Sequence, residues 1–374
     1  TLDVDGGTIK LDGNYPVGTQ NVALGDGAAD ALTSGNYNVA VGHNAAGSLT
    51  SGSNSAMIGN AAGAATTTGG ANVAVGDIAL TSNTTGANNV AIGYESLNAN
   101  TTASNNTAVG HQAGYSFTTG GYSTVMGYQA AQNATAGGTV AIGHSSAKNN
   151  TGAGITAVGS NALVTNTSGT SSTGIGTNAL NDNTTGSYNV ALGRNALYSN
   201  TTASNNTAVG YNALNLNTTG AYNTAFGTQT LLDNTTGYGN AAFAADAMGN
   251  NTTGFDNTAL GNASLYTNTT GSYNVALGRA ALQNNTTASQ NTAVGYRALF
   301  TNSTGGNNVA LGTYALDLNT TGASNTALGY LALSANTTGT LNVSVGKDSM
   351  DSNTTGSSNV ALGVDALQSN TTAS

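Results

Sequence analysis

The five-residue stretch Asn-Val-Ala-Leu-Gly, formed by Asn189, Val190, Ala191, Leu192 and Gly193, recurs along almost the whole chain of 374 residues. Its closing glycine marks a repeat. Neighbouring markers are 17 residues apart nearly everywhere, with two steps of 16, and Ala244 replaces one marker. A fixed short period is typical of a solenoid, in which each repeat forms one coil and stacks on its neighbours. The marker glycines are Gly25, Gly42, Gly59, Gly76, Gly93, Gly110, Gly127, Gly143, Gly159, Gly176, Gly193, Gly210, Gly227, Gly261, Gly278, Gly295, Gly312, Gly329, Gly346 and Gly363.

The composition excludes several classes of function. Charged residues make up 6% of the chain, the formal net charge is −9, and only 6 residues are Lys or Arg. Without a basic patch, the chain lacks the electrostatic footprint of a protein that binds nucleic acid or anionic lipid. No apolar run approaches membrane-spanning length, so we expect no membrane insertion. The absence of cysteine removes disulfides and cysteine-based metal sites.

Within one repeat, the residue types predict two short strands and two turns. Val190 and Leu192 alternate with Ala191, which is the pattern of a strand with two different faces. The apolar segment around Leu197 predicts a second short strand. Asn-Thr-Thr-Gly at 183–186 is a turn sequence whose glycine is expected in the left-handed conformation. Frequent glycine and β-branched residues argue against helix. We therefore predict an all-β parallel β-solenoid, or β-roll, of about 21 coils.

Stacked coils place equivalent residues above one another, and we call each such set a column, named after one member. The Asn189 column predicts a ladder of amides that hydrogen-bond along the stack. We expect the aliphatic Val190 and Leu192 to form the core of each coil, and the small Ala191 to point the other way. Such a core is thin, and a small-residue face permits close approach. The Ala191 column is therefore predicted to face a partner in a parallel homotrimer; a monomer with a wider core is the alternative.

The chain divides into a lead-in and a repeat region. Residues 1–20 hold the only proline and alternate apolar with polar residues, which is typical of an N-terminal cap. The repeats occupy 21–374 and stop partway through a unit, so we expect more chain, with an assembly or binding domain, after Ser374. In the second half, five-unit blocks of 85 residues recur from Gly193 to Gly278 and on to Gly363. This longer period indicates block duplication.

The repeats resemble two known families. The stretch Asn-Val-Ala-Val-Gly at 38–42 and its copies resemble the head repeats of trimeric autotransporter adhesins. The longer unit Asn-Thr-Ala-Val-Gly-Tyr-Asn-Ala-Leu at 206–214 is similar to repeats in phage and bacterial tail-fibre proteins. The resemblance covers residue 21 to the C-terminus, although adhesin heads generally use a shorter unit. It implies a left-handed parallel β-roll with three chains around one axis.

Three kinds of residue are candidates for binding. Tyrosine rings in rows can stack on sugars or grip a surface, and covering coil edges is the alternative. Histidines hold one place on different coils, so we interpret them as exposed polar residues rather than a metal site. Asn-Thr-Thr triplets match the N-glycosylation pattern, but turn chemistry alone explains them. The tyrosines after a marker are Tyr94, Tyr128, Tyr211, Tyr296 and Tyr330; those before the strand are Tyr37, Tyr188, Tyr222 and Tyr273; the histidines are His43, His111 and His144.

These features predict a structural function. No nucleophile–base pairing, phosphate loop or calcium repeat is recognisable, so we expect neither enzyme activity nor a cofactor. Modular length and low charge predict an extracellular fibre shaft or adhesin on a cell surface or virion. Its main partner is expected to be itself, with a host-cell surface glycan or protein as a candidate ligand. Two alternatives share the fold: a solenoid whose threonine rows bind ice, and the subunit of a self-assembling extracellular filament.

Overall fold

The computed structural model describes residues 18–374, so the predicted cap at 1–20 lies almost entirely outside the described residues. The chain forms two compact units, Thr1–Thr151 and Gly152–Ser374. In each unit, three-residue strands are joined by turns. The first unit holds β1 (Val22–Leu24), β2 (Val39–Val41), β3 (Ala56–Ile58), β4 (Val73–Val75), β5 (Val90–Ile92), β6 (Thr107–Val109), β7 (Thr124–Met126) and β8 (Val140–Ile142). The second holds β9 (Thr156–Val158), β10 (Thr173–Ile175), β11 (Val190–Leu192), β12 (Thr207–Val209), β13 (Thr224–Phe226), β14 (Ala241–Phe243), β15 (Thr258–Leu260), β16 (Val275–Leu277), β17 (Thr292–Val294), β18 (Val309–Leu311), β19 (Thr326–Leu328), β20 (Val343–Val345) and β21 (Val360–Leu362).

Neighbouring strands within each unit pair in parallel, with equivalent residues opposite each other. Ala191 of β11, for example, pairs with Ala208 of β12. The register is the same across a repeat of 16 residues: Thr124 of β7 pairs with Val140 of β8, and the missing residue falls in the connecting turn. The prediction of an all-β parallel solenoid with a repeat of 17 residues is confirmed, and the described residues contain no helix.

Each coil contains one strand instead of the predicted two. The segment around Leu197 is not extended, because Asn195 and Leu197 have φ of 57° and 50°, and Asn205 has φ of 61°. The segment still bonds to neighbouring coils: the Leu197 N–H donates to the Ala213 carbonyl at 3.0 Å, and the Asn195 N–H to the Thr177 carbonyl at 3.0 Å. A left-handed leucine costs about 1–2 kcal/mol. The complete burial of Leu197 offsets that cost.

The two strand faces are the reverse of the prediction. Ala191 is fully buried inside the coil, whereas Val190 and Leu192 stay partly exposed on its outside. Leucines of the turn segment fill the interior opposite this alanine column. Gly174 occupies the column in another coil, and a β-carbon there would lie 3.3 Å from Leu163. A side chain larger than alanine has little room, so the Ala191 column faces the chain's own core and not a partner.

The second glycine of the repeat also differs from the prediction. Gly186 is not among the residues with positive φ, and Ala203 and Ala288 occupy the same column. A β-carbon at Gly186 would come close to the Ala203 carbonyl oxygen and to Asn183 Oδ1. Glycine here reflects close packing between coils and not a left-handed backbone.

Two columns of asparagine cross the interior and form ladders. In the ladder beside the strand, Asn206 Nδ2 donates to the Gly220 carbonyl at 2.9 Å, and Asn206 Oδ1 accepts the Asn223 N–H at 2.9 Å. In the ladder at the turn, Asn200 Nδ2 donates to Asn183 Oδ1 at 2.8 Å. These buried amides satisfy backbone groups that have no partner in a strand.

In one coil, the large side chain of the core comes from the Ala191 column instead of the Leu197 column. Met57 stands in the Ala191 column, and Gly63 stands in the Leu197 column. A β-carbon at Gly63 would lie only 2.5 Å from Met57 Sδ. The long methionine therefore occupies the space that a leucine fills in other coils.

We expect Met57→Ala and Gly63→Leu each to lower the free energy of unfolding by about 2–4 kcal/mol. The first change leaves a cavity, and the second overfills the same space. The double variant restores the residue pair of other coils and should recover most of the loss. Urea unfolding of the four proteins measures this coupling. Simple additivity of the two losses would show that the side chains do not compete for one space.

Candidate functional surfaces

The structure divides the predicted structural residues between core and surface. Asn189, Ala191 and Leu197 are fully buried. Val190 and Leu192 lie on the outside of the strand and are partly exposed. The three buried residues hold the coils together, so any functional surface must come from the columns that solvent reaches.

The outer strand face is formed by the Val190 and Leu192 columns, and the Leu192 column is apolar without a break in each unit. Within residues 18–374, all 21 members of the Leu192 column are Val, Ile, Leu, Met or Phe, while the Val190 column holds Val, Thr and Ala. Many of these side chains are open to solvent; Phe226 is 53% exposed and Leu260 50%. Single apolar residues are normal on a protein surface, but a long apolar column marks a site of interaction.

Two of the five tyrosines predicted to bind a surface lie in a ring stack of the first unit. Tyr94, His111, Tyr128 and His144 occupy successive coils, and their ring centroids are 5.2, 5.0 and 5.3 Å apart. The interplanar angles of 25°, 17° and 11° show that the rings are stacked face to face. Neighbouring rings therefore cover both faces of Tyr128, which leaves no open face on which a sugar can stack.

The other three predicted tyrosines, Tyr211, Tyr296 and Tyr330, are exposed in the second unit. Tyr314 lies between Tyr296 and Tyr330, with edge-to-face contacts at 5.4 and 6.4 Å. Tyr211 makes no ring contact within the described part of the chain. Within the second unit, Tyr211 is therefore not part of the ring contacts that join Tyr296 and Tyr330 through Tyr314.

A charged cluster that the sequence analysis missed adjoins these rings. Arg297 Nε and Nη2 each donate to one carboxylate oxygen of Asp317 at 3.2 Å. The Arg297 guanidinium also lies 4.1 Å from the centre of the Phe300 ring. Burial raises the pKa of Asp317, and the facing guanidinium opposes that rise. Because Arg297 and Asp317 are 20 residues apart, the repeat of 17 does not bring them into one column.

The aromatic ridge is a second ring surface of the second unit, formed by Tyr222, Tyr238, Phe255 and Tyr273 on four successive coils. Tyr238 and Phe255 stack at 4.9 Å, and Phe255 meets Tyr273 edge to face at 5.1 Å. Tyr222 and Tyr273 are 68% and 54% exposed, and both have φ of 60°. The sequence pattern points to Tyr222 and Tyr273. It misses Tyr238 and Phe255 because these stand one residue earlier in their repeats.

The threonine pair of each turn has two different roles. Thr184 Oγ1 donates to the Thr201 carbonyl of the next coil at 2.9 Å, so this column reinforces the stack. The Thr185 column is exposed. In the second unit, coils from Thr184 to Thr372 carry threonine in both columns, with Ser303 as the one exception. The Thr185 column thus forms a regular row of hydroxyl and methyl groups.

The asparagines of the Asn-Thr-Thr triplets are buried, except Asn370 in the last coil, which is half-buried. Asn183 is fully buried, and its Nδ2 donates to Asn166 Oδ1 at 2.7 Å and to the Gly186 carbonyl at 2.9 Å. N-glycosylation uses this nitrogen. A folded coil therefore cannot accept a glycan there, which favours the interpretation of the triplets as turn chemistry.

The three histidines share a column but do not meet. His43 Nδ1 lies 3.2 Å from Asn60 Oδ1, and His43 Nε2 lies 3.9 Å from an Asp26 carboxylate oxygen. Tyr128 separates His111 from His144. Across residues 18–374, no group of three or more His, Asp or Glu residues is arranged to hold a metal ion.

Comparison with known proteins gives no relative from which a function can be transferred: no protein-family model and no curated protein matches the chain. Over the described range 18–374, there is also no helix of the length and apolar character needed to cross a membrane. The interpretation of function therefore depends on the surfaces described above.

Proposed function

We propose that the chain is a non-enzymatic structural element of an extracellular fibre or adhesin, on a cell surface or a virion, and that it works as a parallel homotrimer. The observation that carries this proposal is the Leu192 column, which is partly exposed in one chain yet apolar in all 21 strands. A solvated column accepts polar residues, as the Tyr211 column does at Asp77 and Arg194. A column that stays apolar is best explained by a partner that covers it.

The length of the outer strand face favours association. Full burial of a large aliphatic side chain gains about 1.5–3 kcal/mol, so covering the exposed part gains about 0.5–1 kcal/mol. Association costs roughly 4–15 kcal/mol in lost freedom of motion. About ten coils are then needed for stable assembly on this scale, and the second unit alone offers the strands β9 to β21. A threefold arrangement is the one implied by the resemblance to adhesin heads and tail fibres.

The test places charge on this face. We expect Leu260→Lys with Leu277→Lys to weaken self-association by roughly a hundredfold or more, because lysine is costly to bury. The coils should stay folded, since both leucines are partly exposed in a single chain. Light scattering measures the mass, and circular dichroism checks the fold. The matched control, Thr253→Lys with Thr270→Lys, adds the same charge to the exposed threonine row. A monomeric parent protein, or an unchanged mass in the leucine variant, would contradict the proposal.

Ice binding is a second candidate function, favoured by the exposed Thr185 column. Its hydroxyl and methyl groups repeat once per coil, about 4.8 Å apart, and a regular row of this kind can order water. We expect an ice-binding chain to show thermal hysteresis, and Thr219→Lys with Thr236→Lys to abolish it while the fold is retained. Freezing behaviour identical to that of an inert protein would remove this candidate.

A further inference from the structure

We propose that the aromatic ridge is a binding site for a neutral glycan chain that lies along the stack. The ridge is separate from the outer strand face, because its residues belong to other columns of the repeat. It is also distinct from the tyrosines that follow the marker glycines. Binding here therefore goes beyond the structural role of the fibre and does not require the trimer.

Backbone conformation indicates that the ridge tyrosines are not placed for stability. Tyr222 and Tyr273 have φ of 60°, a conformation that favours glycine or asparagine over a bulky aromatic residue. Other coils use those residue types in the same column, as at Gly239 and Asn307. Tyr222 also makes no ring contact within residues 18–374 and is 68% exposed, so no aromatic packing holds its ring in place. Strained, exposed aromatic residues are typical of functional surfaces.

The charge around the ridge selects the class of ligand. Between Arg194 and Arg279 there is no Lys or Arg, and the charged residues are Asp233, Asp246 and Asp256. These carboxylates repel an anionic polymer, and the stretch between the two arginines offers no cation to pair with it. Aromatic faces and edges bind the C–H surface of a hexose, and a carboxylate such as Asp256 accepts hydrogen bonds from sugar hydroxyls.

The spacing of the ridge matches a polymer. Its rings come from four successive coils, and coils repeat about every 4.8 Å. An extended glucan whose sugars repeat at this coil spacing, about 4.8 Å, places one hexose on each coil. A glucan laid along the stack therefore meets the exposed rings of Tyr222 and Tyr273 and, between them, the edges of the stacked Tyr238 and Phe255. Several weak contacts then add along one chain.

The sequence provides a matched variant. One duplicated block later, residues of other types occupy the four ridge positions within the same fold. The variant Tyr222→Asn, Tyr238→Ala, Phe255→Thr and Tyr273→Ser copies them, so the coils should form normally. The residues that it copies are Asn307, Ala323, Thr340 and Ser358. A control variant, Tyr211→Thr with Tyr330→Thr, removes exposed rings elsewhere and copies Thr228 and Thr313 of the same column.

Affinity electrophoresis of the full chain in gels containing laminarin, dextran or heparin tests the proposal. We expect retardation by laminarin or dextran and a loss of roughly tenfold or more in affinity for the ridge variant. The control variant should bind like the parent. If the ridge variant fails to fold, Tyr222→Asn alone should still weaken binding. Equal binding by parent and ridge variant, binding to heparin only, or no binding to either neutral glucan would overturn the proposal. Light scattering on the same samples keeps the outcomes apart: a trimer that ignores glucans refutes the site, and a monomer that binds them refutes the proposed assembly.

Discussion

Replacing Gly176 with alanine is expected to lower the free energy of unfolding by roughly 2–4 kcal/mol. Gly176 follows β10 and has φ of 133°, a conformation that other residues rarely adopt. A β-carbon at this position would lie 2.6 Å from the carbonyl oxygen and 2.7 Å from the carbonyl carbon of Gly193 in the next coil. Both penalties involve backbone atoms, so rotation of a side chain cannot relieve them.

The chain already contains an alanine in the marker column. Ala244 stands in the marker column with φ of 102°, whereas Gly227 and Gly261 on either side have φ of 141° and 139°. The alanine has therefore moved the local backbone away from the conformation of its neighbours. We expect Ala244→Gly to raise the free energy of unfolding by about 1 kcal/mol, because glycine adopts the conformation of the column without strain.

Gly306→Ala is the matched control for both changes. It makes the same chemical substitution where Gly306 has no left-handed φ, where a β-carbon would meet only the Ser289 carbonyl oxygen at 3.1 Å, and where Ala221 and Ala323 already stand in the column. Its cost should stay below about 1 kcal/mol. Urea unfolding measures all three variants. If Gly176→Ala costs no more than Gly306→Ala, the marker column has no special need for glycine.

The register of the solenoid was predictable from sequence because it depends on period alone. A repeat of 17 places Asn189 next to Asn206 whichever way the side chains face, and the amide ladder follows from that placement. The side of the strand that faces inward was not predictable in this way. Alternation of Val190 and Leu192 with Ala191 shows that there are two faces, but it does not say which one has room for a large side chain.

The inward face depends on contacts between different parts of one coil. Leu197 reaches the interior from a turn and leaves space there only for alanine across from it. That turn is formed by left-handed residues, and leucine is not a residue type that signals a positive φ. The predicted second strand was wrong for the same reason. The aromatic ridge was not predictable from the columns, because Tyr238 and Phe255 stand one position earlier in the repeat than Tyr222 and Tyr273.

The buried asparagine ladder should respond strongly to substitution, and Asn206 is the position to test. Its Oδ1 accepts the Asn223 N–H at 2.9 Å, and its Nδ2 donates to the Gly220 carbonyl at 2.9 Å. Asn206→Leu leaves the Asn223 N–H buried without a partner, whereas the Gly220 carbonyl keeps the bond that Asn217 Nδ2 donates to it at 2.9 Å. We expect this change to lower the free energy of unfolding by about 1–3 kcal/mol, the cost of one buried donor without a partner.

Asn206→Ser should cost less than the leucine substitution. Elsewhere in this column, Ser172 Oγ accepts the Asn189 N–H at 3.2 Å, so a serine hydroxyl keeps the acceptor and gives up only the bond to the carbonyl. Urea unfolding of the two variants gives the comparison. Equal losses for serine and leucine would show that side-chain volume, and not hydrogen bonding, determines the residue at this position.

Asn206→Asp adds a dependence on pH that the other variants lack. An aspartate side chain can still accept the Asn223 N–H. Its second oxygen, however, faces the Gly220 carbonyl oxygen. This contact favours the protonated carboxyl group, which can donate a hydrogen bond to the carbonyl. Burial also raises the pKa of a carboxyl group above its unfolded value of about 3.9. The variant should therefore approach the parent in stability below about pH 4 and lose stability progressively as the pH rises toward neutral. Asn205→Asp is the control, because position 205 is exposed and Asp256 already occupies its column. As the pH rises across this range, the free energy of unfolding of Asn206→Asp should fall below that of the parent, while that of Asn205→Asp should follow the parent. Parallel curves for the two variants would mean that the Asn206 amide is not held in a closed hydrogen-bonded ladder.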